Sequence, residues 1–522
     1  MAEERSNRFH SKLLMSALFA TGLSGIVAEY ILATLATYFL GNSTVQWTMI
    51  LSCMLFAMGL GSRFSKWIDR YVLEAFIGLE LLLSFLVTFC ALITYASMGQ
   101  TYYVGIIIYT LAILIGFLIG MEIPLVTRIN GRYEDLKANI ASVMEKDYYG
   151  SLIGGVFFAF FAHEYLGLTY TPFVLGVINL LVAMALFIAL KDKLYVRFKR
   201  LLYLSFIGLS TIISLGLHSA EDIVLYGEQE RYFPDKVIFS KQTKYQKITI
   251  TKSKDHHFLY LNSGKQLCTL DEFLYHEPLV HPAMLLNKHP KSVLVMGAGD
   301  GCAIREVLKH QSVDSIFLVD LDKEMTNVGA DHDIFRALNN DAYHSEKITV
   351  INADAFTWLE NSTRYFDVII CDFPDPKNLE LSRLYSKQFY QFCYDRLRLN
   401  GVIVTQASSP FYMTNAYRCI EKTIDEIGFE ALAIHNHVYT FGEWGWVIGQ
   451  KSKDEEAIKT RLVKSDLKEI ETKWLTNDGL LLITNFGKDV QWGVNDSIEV
   501  NTIHSPVLYK YYRQGLNYFE HN

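Results

Sequence analysis

The stretch SVLVMGAGD, Ser292–Asp300, decides how the second half of this chain folds. A short apolar run enters a glycine turn, the pattern of a buried strand that feeds a helix. The glycines, Gly297 and Gly299 among them, let the backbone approach a ligand closely and free amides at the following helix start. Acidic residues answer at the ends of later apolar runs: Asp320 after Ser315–Val319, Asp354 after Ile348–Ile351, and Asp372–Pro376, DFPDP, after Phe366–Cys371. Asp320 stands 23 residues beyond Gly297, where a carboxylate accepts from two ribose hydroxyls. Asp354 is placed to meet an adenine edge. An open α/β sheet builds a nucleoside pocket in this way, at the carboxyl ends of its strands. The turn alone fits nicotinamide and S-adenosyl enzymes alike.

Around this core the pattern extends both ways. Ala303–His310 reads as the helix after the turn, and Val402–Gln406, Ala431–His435 and Trp444–Ile448 complete the sheet. Upstream, QKITITK, HHFLYLN and KQLCTLDE within Val237–Leu270 alternate as strands, with Asn262-Ser263-Gly264 as a turn. Asp271–Leu286 reads as a helix interrupted by His276, Glu277 and His281. Lys451–Asn522 is a polar and aromatic tail in which no chemistry is legible.

The first half is of another kind. Half of the 522 residues are hydrophobic and mean hydropathy is +0.17, an excess confined to residues 12–217. Stretches near the ~20 apolar residues that a membrane crossing needs are Leu13–Leu40, Trp47–Phe64, Val72–Ala96, Tyr103–Val126, Tyr148–Ala162, Tyr165–Leu190 and Leu201–Leu217, the fifth short and the seventh marginal. The first is too long for a removable signal peptide. The expected organisation is a transmembrane helical domain over 1–220 with about seven spans, a small β domain over 221–270, a Rossmann-like α/β domain over 271–450 and a C-terminal extension over 451–522.

Lys and Arg mark orientation. They lie at the amino terminus (Arg5, Arg8, Lys12) and in alternate loops (Arg63, Lys66, Arg70; Arg128, Arg132, Lys137, Lys146; Lys191 to Arg200), while the intervening loops have none. The amino terminus is therefore expected in the cytoplasm of a protein in the cell membrane. Seven full spans would leave the soluble half outside. A seventh stretch that stays at the interface, or a fifth that does not cross, returns it to the cytoplasm, which is the placement expected here. Glu29, Glu74, Glu80, Glu122 and Glu164 lie in or near the spans, where a carboxylate is costly and points either to function or to a bond with a neighbouring helix. Gly22, Ser24, Gly25, Gly116, Gly120, Gly150, Gly154 and Gly155 suit close helix packing.

The net charge of −7 carries no basic stripe, which excludes a nucleic-acid partner on sequence grounds. The single acids at the ends of apolar runs suit a cationic small molecule. Seven cysteines without CxxC or Cys/His spacing imply reduced thiols and no zinc site.

The residues resemble the spermidine synthase (polyamine aminopropyltransferase) family over roughly Tyr245–Gly449. Tyr245–Gln246, LDE at Leu270–Glu272, YHE at Tyr275–Glu277, GAGDG followed by REVLKH at Arg305–His310, VDLD at Val319–Asp322, AD at Ala353–Asp354, and DFPDP then LYSKQFY fall in family order. With the apolar half attached, the chain is similar to the bacterial multi-pass members. The resemblance implies transfer of an aminopropyl group from decarboxylated S-adenosylmethionine to putrescine or a related amine, releasing methylthioadenosine. The nucleoside donor is a co-substrate, and no cofactor is permanently bound. Gln246, Asp320, Asp354 and Ala355 would hold the donor. Tyr275, His276, Asp300, Asp375 and Tyr439 would surround the amines, and Asp372 would be the base. A homodimer is expected from the family.

The chemistry is self-consistent. A sulfonium is already an activated leaving group, so neither a metal nor a covalent intermediate is required. A polyamine nitrogen is protonated near neutral pH and must lose its proton to attack, a step worth about 10²–10⁴-fold to a positioned carboxylate. Asp300 separates two readings, because an acid near the donor's tail would repel the carboxylate of intact S-adenosylmethionine. Phe373 and Pro374 stand where the family carries small polar residues, and KNLEL replaces a glycine-proline segment, which puts putrescine itself in question. The alternatives are an S-adenosylmethionine-dependent methyltransferase, and a polyamine transporter or sensor whose soluble half only binds.

Overall fold

Apolar helices occupy the first part of the chain and a mostly parallel sheet the second. The computed structural model describes residues 2–41, 43–98, 103–131, 133, 135–451, 455–487 and 497–520, apart from the side chains of 2–8, 163–164, 230–232 and 517–520. Arg5, Arg8, Arg132 and Glu164 therefore lie outside what is described of side chains. The chain divides into two units, Met1–Thr251 and Lys252–Asn522.

The first unit contains helices α1 (Ala2–Leu40), α2 (Ser43–Phe64), α3 (Val72–Met98), α4 (Val104–Asn130), α5 (Leu136–Phe157), α6 (Gly167–Leu190), α7 (Val196–His218) and α8 (Ala220–Tyr232), then strands β1 (Lys236–Gln242) and β2 (Lys247–Ser253). Among the described residues, six helical stretches are long and apolar enough to cross a membrane: Phe9–Leu40, Ser43–Trp67, Val72–Met98, Val104–Asn130, Gly167–Lys193 and Val196–His218. The stretch read as marginal, Leu201–Leu217, lies inside the last of these. The expected fifth, Tyr148–Ala162, is shared between α5 and a π-helical continuation, Phe158–Leu166. Charge explains why α5 does not qualify, since it carries Lys137 near its start and Glu145, Lys146 and Asp147 at its middle.

Small residues bring the helices together. A Cβ on Gly120 would stand 2.0 Å from the Met58 carbonyl of α2, and one on Gly150 would stand 2.1 Å from the Phe19 carbonyl of α1. Gly154 meets Leu23 and Ile26 further along α1, so α5 runs beside α1 in the same direction. At one end of the bundle Lys193 Nζ donates to Tyr133 Oη at 2.7 Å, joining the end of α6 to the end of α4. Glu74 accepts from the Tyr195 amide at 3.0 Å, which satisfies one of the free amides before α7.

The second unit opens with the antiparallel hairpin β3 (His256–Leu261) and β4 (Gly264–Cys268). Helix α9 (Phe273–Leu286) follows, then β5 (Ser292–Gly297), α10 (Cys302–Leu308), β6 (Ser315–Asp320), β7 (Ile348–Asn352), β8 (Phe366–Asp372), β9 (Leu397–Gln406), β10 (Glu430–Val438) and β11 (Gly442–Gln450). The sheet order is β10-β11-β9-β8-β5-β6-β7. From β7 to β9 neighbours are parallel, and β11 and β10 add antiparallel pairs at one edge. Val293–Met296 and Val368–Cys371 are buried, as strands covered on both faces must be. The chain leaves β5 for β6 on one side and returns to β8 on the other. This reversal opens a crevice beyond the carboxyl ends of β5 and β8, where the sequence places its acids.

Candidate active site

Gly297 closes β5 and Asp372 closes β8, and the two are register partners. Gly297 has φ +79°, and a Cβ there would stand 2.1 Å from the Asp372 carbonyl. Only glycine satisfies both the left-handed backbone and this approach. Gly299 makes room for Asp320, whose Oδ2 would stand 2.9 Å from an added Cβ. Ala298 takes φ +58° without being glycine, at a cost of roughly 1–2 kcal/mol.

Four carboxylates mark the crevice. Asp320 Oδ1 accepts from the Asp322 amide at 2.8 Å, and burial, with Asp322 and Asp300 nearby, pushes its carboxyl up to about 7. Asp300 Oδ1 accepts from the Cys302 amide at 2.7 Å. Asp372 Oδ1 accepts from Tyr275 Oη at 2.6 Å. Burial raises Asp372 to about 6, with Asp300 adding to the rise and His276 and Tyr275 opposing it. Asp375 Oδ1 accepts from Ser408 Oγ at 2.6 Å, and its Oδ2 accepts from Tyr512 Oη at 2.9 Å.

Three consecutive residues of α9 do three different jobs. Tyr275 holds Asp372. His276 places Nδ1 2.9 Å from Glu272 Oε2 and Nε2 3.9 Å from Asp300 Oδ1. Burial alone would lower this imidazole, but the Glu272 hydrogen bond and the charges of Asp300, Glu272 and Asp372 raise it to about 9. Glu277 accepts from the Trp474 and Leu475 amides at 3.0 and 2.7 Å, and so docks the C-terminal extension on α9. Glu272 is itself clamped by Arg305, at 2.9 and 2.8 Å. Burial opposes ionisation there, but His276 and Arg305 prevail and hold Glu272 down to about 2.

His276, Asp300 and Asp372 offer ligand atoms within 4.8 Å of one another, as do Glu272, His276 and Cys302.

The remaining expected residues fall elsewhere. Asp354 follows β7, caps helix Ala355–Asn361 through the Thr357 amide at 3.0 Å, and pairs with Arg383. Ala355 is the first residue of that helix. Gln246 belongs to the first unit, where its amide donates to Thr243 Oγ1 at 3.0 Å. Tyr439 lies in the turn between β10 and β11 and is 66% exposed. The next residue, Thr440, is fastened to Asp271 through its amide at 2.7 Å.

Several residues of the site carry no sequence signal of their own. Gln406 Nε2 donates to the Phe373 carbonyl at 2.8 Å, and Tyr385 Oη donates within reach of the Phe373 and Pro374 carbonyls. These bonds fix the DFPDP turn where the family's small polar residues are missing. Tyr512 comes from the C-terminal helix Val507–Glu520 and is 3% exposed. The one available hint was position: Gln406 and Ser408 stand at the end of β9, facing the same crevice edge as the acids.

The sheet order and its acid-lined crevice define a class, the S-adenosyl-type α/β transferases. The model of the spermine/spermidine synthase domain matches residues 272–461. A polyamine aminopropyltransferase of Leptospira interrogans is 37% identical over 495 residues, covering 94% of this chain and 96% of that protein. Polyamine aminopropyltransferase 2 of Aquifex aeolicus is 39% identical over 506 residues, covering 96% and 98%. A spermidine synthase solved in complex with the transition-state analogue AdoDATO aligns with 49% of this chain and 87% of its own, at 27% identity and a TM-score of 0.45. The chain belongs to the polyamine aminopropyltransferase family, and is a transferase of the spermidine synthase type.

Proposed function

We propose that the protein transfers an aminopropyl group from decarboxylated S-adenosylmethionine to putrescine or a related amine, giving spermidine and methylthioadenosine. The observation that carries this reading is the cluster of His276, Asp300 and Asp372 beside the glycine turn. Asp320 would accept from the ribose hydroxyls, and Gly297 and Gly299 would admit the nucleoside. Asp354 and Ala355 would meet the adenine, Asp354 then exchanging part of its bond with Arg383. Gln246 is proposed for the donor and Tyr439 for the acceptor on the family pattern.

In the reaction, the amine lone pair attacks the propyl carbon next to sulfur. The C–N bond forms as the C–S bond breaks, and its electron pair stays on sulfur as the neutral thioether of methylthioadenosine. Asp372 takes the ammonium proton before attack. Its raised carboxyl, at about 6, is ionised at neutral pH and close enough to that pH to be an effective base. Tyr275 fixes the oxygen that it meets. Asp300 and Asp375 bind the other ammonium groups. Holding amine and carbon in line supplies much of the rate.

The assay is the purified protein with decarboxylated S-adenosylmethionine and putrescine, read by mass spectrometry. Spermidine and methylthioadenosine are expected in equal amounts. No methylthioadenosine with any diamine or polyamine would remove the proposal.

The apolar helices are proposed to anchor the enzyme in the cell membrane. Six crossings from a cytoplasmic amino terminus would place the second unit in the cytoplasm, which suits its five free cysteines. A crossing by α5 would reverse the side, and the bundle favours it: α5 runs with α1, and the ends of α4 and α6 meet through Tyr133 and Lys193, so the chain passes between the two ends of the bundle along α5 before α6 returns. A cysteine introduced at Glu455 and labelled with a membrane-impermeant maleimide separates the two. Labelling only after lysis supports the cytoplasmic placement, and labelling of intact cells overturns it.

A further inference from the structure

The first unit holds a group of polar side chains that the aminopropyl reaction does not use. Glu80 of α3 is 0% exposed and Glu122 of α4 is 1% exposed. Asn179 of α6 is also fully buried, and its Oδ1 accepts from Ser24 Oγ of α1 at 3.0 Å. Thr21, one turn before Ser24, donates to Glu80 Oε1 at 3.5 Å. Glu80 and Asp147 both lie within electrostatic reach of Glu122. Residues far apart in the chain, on α1, α3, α4, α5 and α6, thus converge inside one apolar bundle.

Their hydrogen bonding is incomplete. Glu80 Oε2, both carboxylate oxygens of Glu122, and Asn179 Nδ2 have no partner. Thr21 has one hydroxyl proton and lies within reach of both Glu80 and Glu122, so it cannot satisfy both. Buried polar atoms are ordinarily paired, and a buried charge is costly unless compensated. Among the described residues no Lys or Arg is paired with Glu80 or Glu122. By contrast, Glu74 and Glu228 in the same unit are each answered, by the Tyr195 amide and by Lys247. Glu80 and Glu122 thus differ from these two glutamates in keeping buried oxygens without a partner, as Asn179 Nδ2 and Asn130 Oδ1 also do.

We propose that the centre of the helical bundle is a binding site for a primary ammonium group, held by Glu80 and Glu122. Three unpartnered acceptor oxygens face the need for three donors, the number that a primary ammonium carries. The choice of a diamine as probe rests on the reaction proposed above, but the site is separate from the catalytic crevice in sequence, in unit and in residues.

The test is equilibrium dialysis of labelled putrescine against the full-length protein in nanodiscs, without nucleoside donor so that no turnover occurs. Two equivalents per chain are expected in the wild type, one in Glu80→Gln/Glu122→Gln, and one in Asp372→Asn/Asp375→Asn. The glutamine variant should still form methylthioadenosine within about twofold of the wild-type rate, which also shows that it is folded. A single equivalent in the wild type, lost only with Asp372 and Asp375, overturns the bundle site while leaving the enzyme intact. Failure of the catalytic proposal would instead leave one equivalent, lost with Glu80 and Glu122. A sodium arm separates the sources of positive charge: displacement of the second equivalent by millimolar sodium as readily as by spermidine would overturn an ammonium site. The wild-type stoichiometry needs no variant, so misfolding of the glutamine variant cannot rescue the proposal.

Discussion

Replacing Asp372 with Asn changes one atom and removes the proposed base. The side chain keeps its volume and an oxygen to accept from Tyr275 Oη, which lies 2.6 Å from Asp372 Oδ1. Donor binding should therefore survive. Loss of a positioned general base costs about 10²–10⁴ in rate, or roughly 2.7–5.5 kcal/mol of transition-state stabilisation. The pH profile supplies a second signature. Burial lifts the Asp372 carboxyl from 3.8 to about 6, so the base is present above pH 6 and is lost as the pH falls through it. The wild-type rate should drop about tenfold per pH unit below that point. Protonation of the free amine adds a slope common to both proteins, so the difference between the profiles isolates Asp372. Methylthioadenosine release is measured between pH 5 and 8.5 at saturating substrates. A variant within tenfold of wild type, or one retaining the same additional acid limb, would remove Asp372 from the role.

Other substitutions probe the framework. Tyr512→Phe removes a donor that lies 2.9 Å from Asp375 Oδ2. A bond to a charged group is worth about 1.5–3 kcal/mol, and Ser408 still holds the other oxygen, so the KM for the amine should rise about tenfold in steady-state assays with donor affinity unchanged. Gly297→Ala places a methyl group 2.1 Å from the Asp372 carbonyl at φ +79°, and should abolish donor binding measured by calorimetry. Glu272→Gln breaks a buried pair with Arg305 and His276, at a cost of about 3–5 kcal/mol, and should lower the unfolding temperature of the full chain. Because His276 is raised from 6.5 to about 9, its stabilisation is complete below pH 6.5 and fades as the pH rises through 9. Thermal scans should show this fading in the wild type and not in the variant.

The sequence made the acids legible because each ends an apolar run, and a parallel sheet aligns such ends on one edge. Asp320 and Asp372 close β6 and β8 in the structure. The groups that orient them were not legible. Tyr512 reaches Asp375 across 137 positions, and Gln406 reaches the Phe373 carbonyl across 33; no local pattern encodes such pairings. Glu272 and Glu277 were visible as family letters, but their roles depend on Arg305 and on the 473–475 backbone. The tail that read as featureless supplies Tyr512 and the segment that Glu277 holds. Leu201–Leu217, marginal by hydropathy, proves long enough to cross because α7 extends upstream through Val196, whereas the fifth stretch, Tyr148–Ala162, is not among the helices apolar enough to do so.

In the proposed reaction the turn carrying Asp300 selects a donor whose tail is an amine without a carboxylate. Asp300 Oδ1 lies 3.9 Å from His276 Nε2, in the cluster that includes Asp372. The most direct measurement is the pair of dissociation constants of the wild-type protein for decarboxylated and intact S-adenosylmethionine, repeated for Asp300→Asn. Repulsion between two carboxylates costs on the order of a few kcal/mol at about 4 Å and an effective dielectric of about 20. The decarboxylated donor should therefore bind at least tenfold more tightly to the wild type, with the gap narrowing in the variant. Tighter binding of the intact donor, with transfer of its methyl group to an amine, would contradict an aminopropyltransferase.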